Sequence, residues 1–176
     1  MGAGAVTPGW GRALLRAVVV IVSAVLLQVT LMADLGLLGV RPELLLLVVG
    51  ATALVAGPAK GCVIGFWAGL AYDLFLQTPF GMVALVYTVV GYLAGQTRQV
   101  VVDHHGSVRA GLVAGTTVVG VVLHAGVALL LDETAISAWE IIRFAVVAGF
   151  VNGALARPAV RVVGWAVRDE ERGVPR

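Results

Sequence analysis

The chain has 176 residues, 60% apolar and only 12% charged, with a formal charge of +2 and a mean hydropathy of +0.99. Soluble domains carry about 45–50% apolar and about 25% charged residues, so composition excludes a water-soluble fold and points to one integral membrane domain. So small a net charge, with no basic stretch interleaved with aromatics, excludes a nucleic-acid binder, and the lone Cys62 excludes an internal disulfide or thiolate cluster.

After a lead of small residues, Arg12 and Arg16 flank an apolar run, which predicts a first helix over about residues 13–32. Twenty helical residues span about 30 Å, the thickness of the hydrocarbon core. Thr30 to Asp34 offers no small-residue cleavage site, so this is expected to be a retained span rather than a signal peptide. Arg41-Pro42-Glu43 opens a second helix to about residue 56. Pro42 suits a first turn because its missing N–H would be unpaired there, and the acid of Glu43 favours the positive helix end.

Gly57-Pro58 turns the chain into a third helix over about residues 59–76. These two helices are short for spans and are expected to form a tight hairpin. Pro79 and Gly81 mark the next turn, followed by a fourth helix over about 82–96, a fifth over about 108–131 and a sixth over about 138–156. Ser137 and Glu140 have capping-box spacing at the start of the sixth. Arg157-Pro158 is expected to bend or end it. Residues 157–176 then read as a basic interfacial tail, with Arg157, Arg161, Arg168 and Arg172 close together on one helical face, suited to anionic lipid headgroups.

The third helix carries the most informative spacing. Gly61, Gly65 and Gly69 recur every fourth residue and Asp73 continues the series, forming one stripe on a helix. In a membrane such a stripe lets another helix approach to backbone contact. Spacing does not say whether that neighbour is internal or another protein. Gly91 and Gly95 repeat the pattern on the fourth helix.

Orientation follows from the basic residues. With six spans and both termini cytoplasmic, ten of the twelve Lys and Arg residues fall inside and only Arg41 and Arg143 outside. Glu43 and Asp73 then share the outer end of one hairpin, and an ion-paired or hydrogen-bonded outer cluster of Arg41, Glu43, Asp73 and Arg143 is the expectation. The plainer alternative is that Asp73 is a solvated helix end. His124 and Asn152, the remaining polar groups inside spans, are expected to hydrogen-bond neighbouring helices. His104-His105 reads as a solvated loop pair. No hydrolase motif occurs, so neither enzymatic activity nor a cofactor or metal is expected.

The order of motifs resembles a known family. Arg41-Pro42-Glu43 followed by four leucines, Gly57-Pro58, the Gly61/Gly65-Phe66/Gly69-Leu70/Asp73 series and Thr78-Pro79-x-Gly81 together resemble the rod-shape-determining protein MreD family. The match covers the second to fourth helices; the family often has Asp where this chain has Glu43. The resemblance implies a bacterial inner-membrane subunit of the cell-elongation machinery. Its partners would be MreC and, through it, MreB and the peptidoglycan glycosyltransferase and transpeptidase. It also implies an all-α bundle of about six helices like the substrate-binding component of energy-coupling-factor transporters. The runner-up function is accordingly a substrate-capture subunit for a vitamin or other micronutrient.

Overall fold

The structure is a computed structural model and describes residues 8–34, 43–98, 106–131 and 137–167. The described residues form six helices: α1 (Pro8–Asp34), α2 (Leu44–Ala56), α3 (Pro58–Asp73), α4 (Met82–Gln96), α5 (Gly106–Leu130) and α6 (Ala138–Val167). Ser107–Leu130 and Ala138–Val167 are long and apolar enough to cross a membrane; the apolar stretches Leu14–Thr30, Leu44–Ala56 and Met82–Gln96 are shorter.

α2 is the axle of the bundle. Its sequence is apolar all round, the signature of a helix buried on every side, and it packs against each of the other five. Leu45, Val49, Ala51 and Ala53 are fully buried. α2 and α3 are joined through Gly57 alone, whose φ of 90° lies in the left-handed region where glycine carries no Cβ penalty. Pro58 starts α3 at a position that needs no N–H donor.

The bundle has two small-residue seams. On α3, a Cβ added at Gly61 would lie 2.5 Å from the Gly91 carbonyl, and one at Gly69 would lie 2.5 Å from Ala84 Cα. Gly65 faces the Tyr87 carbonyl, Gly91 faces Gly61, and Gly95 faces Pro58. On α6, a Cβ at Gly149 or Gly153 would come within 3.2 or 3.3 Å of carbonyl oxygens of Ala114 and Ala110 on α5. Each seam brings helix backbones together where van der Waals contact replaces the hydrophobic drive.

Three boundaries depart from expectation. α1 begins at Pro8, five residues before the expected start. α3 ends at Asp73 rather than at 76, and the chain tightens there: Phe75 N donates to Tyr72 O at 2.9 Å and Leu76 N to Asp73 O at 3.3 Å. α6 does not end near Ala156 but runs through Pro158 to Val167. Proline removes one ladder bond and was expected to bend or end the helix; burial outweighs that loss, because Val163 and Ala166 are only 2% and 3% exposed and α6 packs on α1. Arg16 of α1 stacks over Trp165 at 4.6 Å from the ring centre, tying the two ends together. Residues 157–167 are thus part of the bundle, with Arg157 and Arg161 exposed on it.

Candidate functional site

The ends of α3 and α4 show why an acid continues the glycine stripe. A helix leaves its first N–H groups without intrahelical partners, and a carboxylate among them satisfies the donors and meets the positive end of the dipole. Asp73, at the last residue of α3, does this for α4. Its Oδ2 accepts from Gly81 N and Ala84 N, and its Oδ1 from Val83 N, each at 3.1 Å. Gly81, at φ 95°, makes the turn that aims these groups back at α3. Asp73 is only 3% exposed. It is therefore not the solvated helix end of the plainer reading.

Glu43 meets a different partner. It stands at the N-cap of α2 without capping that helix through its side chain, and its Oε2 accepts the Tyr87 hydroxyl at 3.0 Å. The α2 start is held instead by two polar side chains from within apolar helices. Gln28 of α1 accepts from Leu44 N at 2.7 Å. Asn152 of α6 donates from Nδ2 to the Glu43 carbonyl at 2.9 Å and to Thr117 Oγ1 of α5 at 3.0 Å. Asn152 is fully buried, and its two bonds cross-link three helices.

Glu43 and Tyr87 line a cavity of about 480 Å³ bounded by α2, α5, the ends of α3 and α4 and the first turns of α6. Leu46, Met82 and Val83 are among its apolar lining; His124, Thr78, Tyr72, Glu140 and Arg143 add polar groups. Ser137 and Glu140 form the expected capping box beside it: Ser137 N donates to Glu140 Oε2 at 3.1 Å and Glu140 N to Ser137 Oγ at 3.3 Å.

The residues singled out in the sequence thus fall into three groups. Gly61, Gly65, Gly69, Gly91 and Gly95 meet within the α3–α4 seam, so their neighbour is internal. Glu43 and Arg143 share the cavity wall, whereas Asp73 bonds the α4 backbone. Arg41, Pro42, His104, His105, Arg168 and Arg172 lie outside the described residues. His124 is half-buried on the cavity wall. No group of three or more metal-ligating side chains occurs among the described residues.

The family model described as rod shape-determining protein MreD matches residues 11–156. The chain belongs to that family. No curated protein and no solved structure matches it. Membership makes it a rod-shape-determining bacterial membrane protein, and its surface suits that setting. Leu14, Leu15 and Val18 on α1 and Val119 and Val122 on α5 are 44% exposed or more, large apolar side chains on the outside of the bundle, as a lipid setting allows.

Tyr87, Thr117 and Gln28 were missed by the sequence reading. For Gln28 a signal existed: it is an isolated amide in an apolar run, and such residues face protein rather than lipid. Tyr87 gave none, since its partner lies 44 residues away in the chain.

Proposed function

We propose that the chain is a non-catalytic, multi-pass subunit of the cell-elongation complex, binding MreC and through it positioning MreB and the peptidoglycan glycosyltransferase and transpeptidase. The observation that carries this reading is the family match over residues 11–156. Six spans with both termini cytoplasmic is the arrangement the basic residues favour, with ten inside and two outside of the twelve. The short α2 fits such a bundle despite its 13 residues, because protein surrounds it on every side. Arg157 and Arg161, exposed on α6, would meet anionic headgroups at the cytoplasmic face together with Arg168 and Arg172.

Affinity purification of the tagged chain from its native membrane tests the proposal. Recovery of MreC and wall-synthesis enzymes is expected. Recovery of paired ATPases instead would establish the alternative, a micronutrient-transporter component, which the 480 Å³ cavity favours.

A further inference from the structure

We propose that the cavity between α2, α5 and α6 binds an amphiphilic amine, a molecule whose ammonium group meets Glu43 and whose apolar body fills the space above Leu46 and Val83. The volume, about 480 Å³, falls within the range of roughly 300–1,000 Å³ usual for small-molecule sites. α5 lines it with small residues, Gly120, Ala125 and Ala128; at Gly120 the Leu46 side chain packs where a Cβ would stand.

The polar groups in the cavity select the head. Tyr87 already donates its only hydroxyl proton to Glu43, so it offers lone pairs alone to anything else. Glu43 offers its carboxylate, whose Oε2 accepts from the Tyr87 hydroxyl. Thr78 Oγ1 is buried there without a hydrogen-bond partner among the described residues. Glu140 adds a second carboxylate to this wall, whose donors are His124 and the guanidinium of Arg143. An ammonium supplies three N–H donors and a positive charge, and the rings of Tyr72, Tyr87 and Phe144 favour a cation over their faces. Arg143, exposed at the rim, suits an acidic group on the same molecule. Two sources share this chemistry: an aminated phospholipid and a soluble amine. The inference does not rest on the scaffold reading, and its failure would leave the partner purification unaffected.

Native mass spectrometry of the full chain in detergent tests it, with phosphatidylethanolamine, phosphatidylglycerol and tryptamine as probes. Binding of phosphatidylethanolamine over phosphatidylglycerol would identify a lipid; binding of tryptamine alone would identify a soluble amine. In either case Glu43→Gln is expected to weaken binding at least about tenfold. Ala125→Trp, which fills the cavity and leaves Glu43 and Tyr87 in place, is expected to abolish it. The Ala125→Trp variant carries the test if Glu43→Gln does not fold. Absence of amine binding, as when Arg41 of this chain or a protein partner supplies the counter-charge, would overturn the proposal. So would equal binding of phosphatidylglycerol, or wild-type binding by Ala125→Trp.

Discussion

α3 and α5 carry the same small-residue spacing and use it in opposite ways. Gly61, Gly65 and Gly69 on α3 each stand where α4 backbone leaves no room for a Cβ, whereas Gly111, Gly115 and Gly126 on α5 have nothing within 4 Å of the same position. The α3 stripe is consumed in building the fold; Gly111, Gly115 and Gly126 face open space, while Gly120 of α5 meets only the flexible Leu46 side chain. A four-residue glycine period is therefore a statement about how close a helix can be approached, not about whether it is. What separates the two is the connection: α3 reaches α4 through a short turn whose N–H groups Asp73 captures, so α4 has little choice of neighbour.

Substitutions sharpen the contrast. Gly65→Ala should have the largest effect, because the new methyl meets the carbonyl of Tyr87 rather than a flexible side chain. A loss of about 3 kcal/mol, the upper end for overpacking, is expected as a lowered melting temperature in detergent. Asp73→Ala strands three donors at the start of α4 and should cost about 2–3 kcal/mol. Asp73→Glu should be milder in melting and in rod morphology, since it keeps the acceptor; equal losses would show that reach matters as much as charge.

Asn152→Leu removes the cross-link to Glu43 and Thr117 and should cost about 1–2 kcal/mol. Trp165→Ala, which removes the ring beneath the Arg16 guanidinium at the α1–α6 end, should cost about 0.5–1 kcal/mol. Gly115→Ala should be neutral or should raise the melting point slightly, because alanine is the better helix former by up to about 1 kcal/mol. A marked fall with Gly115→Ala would mean that the α5 stripe is closed after all.

Much of the fold was legible because its signals are local. Proline and glycine punctuation placed the α2–α3 and α3–α4 turns, the glycine period marked the packed face of α3, and Ser137 with Glu140 marked the start of α6. What escaped depends on distant parts of the chain. Pro158 resembled a helix end because the loss of its hydrogen bond is local, while the burial of Val163 and Ala166 that outweighs it comes from α6 packing back on α1. Asp73 was legible as an acid at the end of a helix, but not as the cap of the next one, which needs Gly81 to fold the chain back. The cavity was not legible at all, since its wall is drawn from five helices and each residue in it is ordinary in its own segment.

The most direct measurement is oxidative cross-linking between the native Cys62 and a cysteine introduced at Thr88, whose carbonyl accepts the Cys62 thiol at 3.6 Å. With α3 gripped by α4 of the same chain, a mild oxidant should close an intramolecular disulfide in the monomer and protect both thiols from a maleimide. Covalent dimers with no protected monomer would instead place the glycine stripe of α3 against another protein, and would contradict the account.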